Sequence, residues 1–384
     1  MPDFTLTREQ ELVRSSAREF AEREVSPRAR DWDREEAMDR AIVGKLADVG
    51  FLGAGLPEEH GGLHLDTVSY CLLMEELGRA DSSVRGIVSV NVGLVGKTIA
   101  KWGNEEQKRA WLPGLCSGEG LGCYALTEPG SGSDPGSLTT RAEPESGDWL
   151  LNGSKLFITL GSWARLALVF ARTGGDGPRG ITCFAVPTDT PGFTARPIKG
   201  KLGLRAQDTA ELFLEDVRVD DANRLGAEGD GFKVAMSALD NGRISLAAGC
   251  VGIGRGCLEA CTTYAKERRQ FGKSIASFQL VQELIADIAV ETEAARLLSW
   301  RAATLADRGE PHTLESSLAK YYASEVSVRA ANAAVQVHGG YGYVDEYPVG
   351  KYLRDARVTT LYEGTSQIQK LIIGRALTGA SAFA

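Results

Sequence analysis

Leu150-Leu151-Asn152-Gly153-Ser154-Lys155-Leu156-Phe157-Ile158-Thr159 is the stretch that decides the architecture. Two apolar runs flank Asn-Gly, the dipeptide that favours a two-residue hairpin turn, so the spacing predicts a β-hairpin. Strand-like runs follow at Leu166–Ala171, Ile181–Val186, Phe193–Pro197 and Ala210–Val219, separated by turns rich in Gly, Pro and Asp. Together they predict an antiparallel β unit of roughly a hundred residues, a plausible domain size.

On both sides of this unit the pattern is helical. Thr7 with Gln10 reads as a capping box. Leu12, Val13, Ala17, Phe20, Ala21 and Val25 then recur at helical spacing up to Pro27. Leu56–Gly62 reads as a loop, and Asp66 as the cap of a second helix towards Gly78. Asn104 with Gln107 caps a third, expected to end near Pro113. Downstream, long amphipathic stretches cover Phe232–Lys266, Phe278–Asp307, Leu314–Val337 and Thr365–Leu377, which predicts a helical bundle. The expected domains are 1–120, 121–228 and 229–384. Strands and helices do not alternate, which argues against a parallel sheet.

Bulk properties narrow the function. A chain of 384 residues exceeds one simple core. Its net charge of −8 argues against non-specific binding to nucleic acid or an anionic membrane. The 7 cysteines are scattered without C-x-x-C, so reduced, buried thiols are expected and no metal site. No basic leader and no run of about 18 apolar residues is read, so the expectation is a cytoplasmic enzyme. The 4 histidines lack H-E-x-x-H spacing, and no P-loop or G-x-S-x-G occurs. Gly252-Ile253-Gly254-Arg255-Gly256 has the wrong spacing for a dinucleotide turn and lies in a helical pattern. Close helix packing is the reading preferred there.

Two segments carry chemistry. Tyr124-Ala125-Leu126-Thr127-Glu128-Pro129-Gly130-Ser131-Gly132-Ser133-Asp134 leads an apolar run into a loop dense in glycine and hydroxyls. Such a loop exposes N–H and O–H donors suited to phosphate oxygens, or equally forms a solvated turn. In Thr360-Leu361-Tyr362-Glu363-Gly364-Thr365-Ser366-Gln367-Ile368-Gln369, a carboxylate stands between an aromatic residue and glycine before a helix. Glu363 is there a candidate base, or only a charge favoured at a helix start.

These segments resemble the signatures of the acyl-CoA dehydrogenases. So do Lys155–Thr159, Asp240-Asn241-Gly242-Arg243, Arg268-Arg269-Gln270-Phe271-Gly272 and Gln336-Val337-His338-Gly339-Gly340-Tyr341-Gly342, all in order along nearly the whole chain. The likeness is nearest to the short-chain and short-branched-chain types. It implies a mainly α fold with a central β domain: a helical N-terminal domain, an antiparallel, barrel-like middle domain and a C-terminal four-helix bundle. It implies FAD as cofactor, with Glu363 as catalytic base taking the α proton of an acyl-CoA thioester. Tyr124, Leu126, Thr127, Gly132 and Ser133 would line the flavin, and Phe157, Ile158 and Thr159 would cover its rings. Many relatives carry Trp where this chain has Phe157. Thr365 and Gln367 would also touch the cofactor. Arg268, Phe271 and Gln279 would reach it from a neighbouring subunit of a homotetramer, and Gln336, Gly339 and Gly340 would follow its adenosine half. Ser133, Asp240, Arg243 and Gly364 would face the substrate. An electron-transferring flavoprotein would accept the electrons.

Arg85, in Asp81-Ser82-Ser83-Val84-Arg85-Gly86, falls where the family shapes its acyl pocket. Relatives acting on carboxylated, glutaryl-like acyl groups place Arg there. The position implies a substrate with a distal carboxylate, or else an interdomain Arg paired with Glu75 or Glu76. Other readings stay open at this stage. They are an oxygen-reactive oxidase or monooxygenase, a dehydrogenase of carrier-protein thioesters, and a catalytically silent or nucleic-acid-binding scaffold.

Overall fold

The computed structural model describes residues 4–383. Its N-terminal helices are α1 (Arg8–Phe20), α2 (Ala29–Glu35), α3 (Ala41–Asp48), α4 (Thr67–Ala80), α5 (Ser82–Val88), α6 (Lys97–Trp102) and α7 (Glu105–Ser117). The Thr7/Gln10 and Asn104/Gln107 capping boxes both form, and Asp66 caps α4 through the Ser69 N–H at 2.8 Å. One helical expectation fails: α7 runs through Pro113 to Ser117 and closes at Gly118 in the left-handed region. Proline removes one backbone bond. Buried Leu112, Leu115 and Cys116 on either side hold the helix together regardless.

Eight strands form one sheet: β1 (Gly122–Ala125), β2 (Arg141–Glu145), β3 (Asp148–Thr159), β4 (Leu166–Arg172), β5 (Ile181–Pro187), β6 (Phe193–Pro197), β7 (Thr209–Asp220) and β8 (Arg224–Leu225). The path runs β6-β7-β3-β2-β4-β5-β8, with β1 joined to β4. Pairing is antiparallel except at β1–β4 and at the single Arg141–Arg172 pair.

The hairpin expected at Asn152-Gly153 is not there. β3 passes straight through and pairs with β7 on both sides of a register shift between Leu151 and Gly153. The type I′ turn that Asn-Gly favours needs positive φ at both central residues. Here only Gly153 has it, at φ 149°. The Asn152 side chain instead bonds Asp216 across the bulge, donating at 3.0 Å and accepting from the Asp216 N–H at 2.9 Å. The dipeptide marks a bulge that re-aims the strand.

The C-terminal part holds α8 (Gly231–Glu267), α9 (Gln279–Asp307), α10 (Thr313–His338), α11 (Val349–Thr359) and α12 (Ser366–Thr378). An 18-residue window of α8 is apolar enough to cross a membrane, yet 78% of it is buried within the protein. Its apolarity is that of a core helix packed on α4, α9 and α10. The glycines explain how closely. A Cβ on Gly252 would lie 2.2 Å from the Glu75 carbonyl of α4, and one on Gly254 would lie 2.5 Å from Thr292 of α9. The Gly252–Gly256 motif is therefore a helix-packing device. All 7 cysteines are free and buried.

Gly153→Ala tests the bulge. An added Cβ would lie 2.6–2.9 Å from Thr140, in a conformation L-residues rarely adopt. We expect a loss of about 1–3 kcal/mol in urea unfolding. A change near zero would show that the bulge relaxes freely.

Candidate active site

A cavity of about 1930 Å³ opens between the sheet, α5, α8 and the turn joining α11 to α12. Arg85, Tyr124, Leu126, Thr127, Gly132, Ser133, Phe157, Ile158, Thr159, Asp240, Arg243, Glu363, Gly364 and Thr365 all line it. Gln367, on α12, is exposed and does not. Arg268, Gln336, Gly339 and Gly340 line a second pocket of about 540 Å³. Phe271 is exposed on the turn before α9, and Gln279 begins that helix. The residues expected on the cofactor thus form two separate groups within one chain.

Glu363 sits in the left-handed region at φ 55°, followed by Gly364 at φ 87°. A non-glycine residue pays strain energy for this, and surrounding contacts must impose it. Lys320 Nζ donates to the Gly364 carbonyl at 2.6 Å, and Gln369 Nε2 donates to the Glu363 and Gly364 carbonyls at 3.1 Å each. Arg243 Nε approaches the Glu363 carbonyl at 3.4 Å. Thr365 caps α12 through the Ile368 N–H at 3.2 Å. The turn is thus fastened by its carbonyls to α8, α10 and α12.

The carboxylate reaches the cavity wall, and its shielded Oε2 has no partner. Gly242 makes the room: a Cβ there would lie 2.5 Å from that oxygen. Burial pushes the Glu363 carboxyl above its ordinary value, against the pull of Arg85, Lys320 and Arg243. Lys320 is wholly buried, and burial lowers its ammonium to about 8.

Arg85 is buried and donates from Nη2 to the Tyr362 hydroxyl at 3.0 Å, while Nη1 has no partner. The expected alternative, a pair with Glu75 or Glu76, does not form. Arg255 and Arg296 take Glu75, and Arg18, Arg79 and Arg255 take Glu76. The Arg85 stem lies over Gly249, where a Cβ would come within 2.3 Å of it.

The opposite wall is set by one buried ion pair. Lys155 Nζ contacts Glu128 at 2.8 Å and the Phe170 carbonyl at 2.6 Å. Glu128 in turn accepts from the N–H groups of Thr139 and Thr140 at 2.6 and 3.0 Å. Burial lowers the Lys155 ammonium to about 8. For Glu128, burial acts upward, but Lys155 and these donors outweigh it and hold the carboxyl at about 2. This pair ties the Thr127–Ser133 loop to the sheet. Phe157, in the left-handed region at φ 59°, stays largely exposed on the cavity side.

These walls fit a dinucleotide flavin. The volume is roughly twice what a drug-sized ligand takes, which suits cofactor and substrate together. At Gly130 and Gly132 even an added Cβ would meet nothing within 4 Å, so the loop backbone is open to a ligand. Sequence reasoning missed Lys320 and Gln207, and quoted Gly242 and Gln369 within their segments without the contacts they make here. Lys320 left a trace: it is a cation among buried Ser316, Ser317, Ala319, Ala323 and Ser324 on one helix.

Comparisons with known proteins agree with this site. The acyl-CoA dehydrogenase N-terminal, middle and C-terminal domains match residues 7–119, 123–217 and 229–378. An acyl-CoA dehydrogenase of Bacillus subtilis (strain 168) is 45% identical over 98% of this chain and 100% of its own. Butyryl-CoA dehydrogenase from Megasphaera elsdenii superposes with a TM-score of 0.96 at 40% identity, covering 98% of this chain and 100% of that one. A glutaryl-CoA dehydrogenase from Mycobacterium smegmatis in complex with FADH2 gives 0.95 at 35% identity, covering 99% and 97%. The chain belongs to the acyl-CoA dehydrogenases, a family of FAD-dependent oxidoreductases.

Proposed function

We propose that this protein converts a short or branched acyl-CoA to the 2-enoyl thioester, with Glu363 removing the α proton. The observation that carries the reading is the Glu363 carboxylate: held on the cavity wall by a strained turn, raised by burial, and with one shielded oxygen unpartnered among the described residues. Bound FAD supplies the acceptor for the β hydride. Glu363 gains basicity as the acyl chain expels water, and its backbone N–H donates to the thioester carbonyl. Ser133, Asp240, Arg243 and Gly364 line the thioester's path. Asp240 is fixed there by Arg243 at 2.7 Å and by the Thr313 hydroxyl at 2.7 Å. Tyr124 to Ser133 and Phe157 to Thr159 hold the flavin. The separate group at Arg268, Phe271, Gln279, Gln336, Gly339 and Gly340 serves the cofactor of a neighbouring copy in a homotetramer. An electron-transferring flavoprotein takes the electrons, in the cytoplasm.

A second reading has its own support. A buried guanidinium on the wall of the Glu363 cavity, with Nη1 unpartnered among the described residues, favours an acyl group bearing a distal carboxylate. Arg85 would then hold the far end while Glu363 works at the α carbon.

Anaerobic titration with short, branched and dicarboxylic thioesters tests both readings. Glu363→Gln should bind the same thioesters and lose roughly 10²–10⁴-fold in the rate of flavin bleaching. Bleaching at the wild-type rate would end the assignment. Lys320→Met removes a cation that favours the ionised base, so the acid limb of the kcat profile should move to higher pH. An unmoved limb would leave Lys320 a purely structural role. Arg85→Ala should raise KM for glutaryl-like thioesters by about 10- to 100-fold, the worth of a charged hydrogen bond, with little change for butyryl thioesters. Equal losses on both would remove the carboxylate reading.

A further inference from the structure

Gln207 stands in the turn before β7, buried, with its side chain on the wall shared by Thr159 and Gly86. Its backbone is pinned at both ends. The Gln207 N–H donates to the Leu204 carbonyl at 3.1 Å, and its carbonyl accepts from Lys201 Nζ at 2.9 Å. The next residue, Asp208, accepts from the Ser162 N–H and hydroxyl at 2.9 and 2.6 Å. The side chain therefore has one direction available. Its Nε2 donates to Thr159 Oγ1 at 3.1 Å. Its Oε1 rests on Gly86, where an added Cβ would come within 1.9 Å.

The amide cannot be turned over without loss. An NH2 group against Gly86 would face a Cα–H, whereas a carbonyl oxygen tolerates that contact. The Thr159 oxygen consequently receives a hydrogen from Gln207. A hydroxyl owns one hydrogen of its own, and Thr159 is left to direct it elsewhere. Thr159 lines the cavity, so the vacant direction includes the ligand side.

We propose that Gln207 is a positioning residue that fixes the Thr159 hydroxyl as a hydrogen-bond donor towards the flavin. This rests on the reading above that places the flavin against Thr159. A donor aimed at a ring acceptor that gains negative charge without itself taking the proton, as the ring carbonyl oxygens do, stabilises the reduced form, so the pair directed there raises the flavin's reduction potential. The Gly86 contact sets the stem of the device. Gly86 neighbours Arg85, so the acyl pocket and the flavin face share this one side chain.

The test uses purified holoenzyme without substrate and reads the visible flavin spectrum and the two-electron reduction potential. The variants are Gln207→Leu, Gln207→Glu, Thr159→Val and the double Gln207→Leu/Thr159→Val. FAD content and thermal unfolding confirm that each is folded and loaded. Gln207→Leu and Thr159→Val should each lower the potential, and the double should fall no further than Thr159→Val alone. Gln207→Glu, whose carboxylate draws the Thr159 hydrogen to itself, should lower it at least as far as Gln207→Leu. A wild-type potential in both Gln207 variants beside a shifted Thr159→Val would overturn the proposal, and so would fully additive shifts. A Thr159→Val enzyme with unchanged spectrum and potential would instead sink the placement of the flavin against Thr159, and this inference with it.

Discussion

The hydrogen bond from Lys320 to the Gly364 carbonyl is the constraint on which the cavity depends. It draws the carbonyl side of the Glu363-Gly364 turn into the helices, where Gln369 and Arg243 complete the hold. A turn with two successive positive φ values does not persist unaided when one residue carries a side chain. Fastening it from behind leaves the carboxylate only the front. The same lysine brings a positive charge close to a carboxyl that burial has made reluctant to ionise. One side chain thereby acts on both the conformation and the proton affinity of Glu363, beside burial and Arg85, and its own hydrogen bond to the turn satisfies part of the buried lysine.

The second organising feature is the crossing of α4 and α8. Gly78 and Gly249 meet so closely that a Cβ on Gly78 would lie 2.5 Å from the Gly249 carbonyl. Gly252 repeats the contact a turn later against Glu75. Helix backbones this close put the charges of α4 within reach of arginines on α8 and α9, and Glu75 and Glu76 are both consumed there. Arg85, one helix further along, is left without a carboxylate of its own. Its stem occupies the room that Gly249 leaves, its Nη1 is buried without a partner among the described residues, and the residue shares a cavity wall with Glu363. The glycine packing and the free end of Arg85 are two consequences of one geometry.

Much of this was legible beforehand, for identifiable reasons. Strands with strong alternation or continuous apolar runs declared themselves: Phe193–Pro197 matches to the residue, and β4 and β5 extend their expected spans by one. Capping residues marked helix starts because they act locally. The Asn-Gly reading failed because turn propensity is local, while β7 offers pairing partners on both sides of Gly153. The Pro113 reading failed because flanking burial outweighs one lost backbone bond. At the site, Glu363 and the Thr127–Ser133 loop stood out as contiguous motifs. Lys320 and Gln207 did not, and Gly242 stood out only as part of its segment, since each matters here through a partner that is remote in sequence. Gly242 illustrates the limit: its function is to be absent beside an oxygen 121 positions away.

Arg85 belongs to α5, and the chain then passes into a wider helical segment, Ser89–Gly96, that is buried throughout. An α-helix continued at its ordinary pitch would repeat the same face every third or fourth residue. The cavity-lining positions keep that repeat across the widening: Arg85 and Ser89, and Gly86, Val90 and Leu94, stand four residues apart. Val90, Val92, Leu94 and Val95 all join the core, and Ser89, Val90 and Leu94 also line the cavity. The core beneath is continuous from α4 through the sheet to α8. Interiors packed at this density move as units rather than residue by residue. The distance between the Arg85 end and the Glu363 end is therefore a property of the whole core.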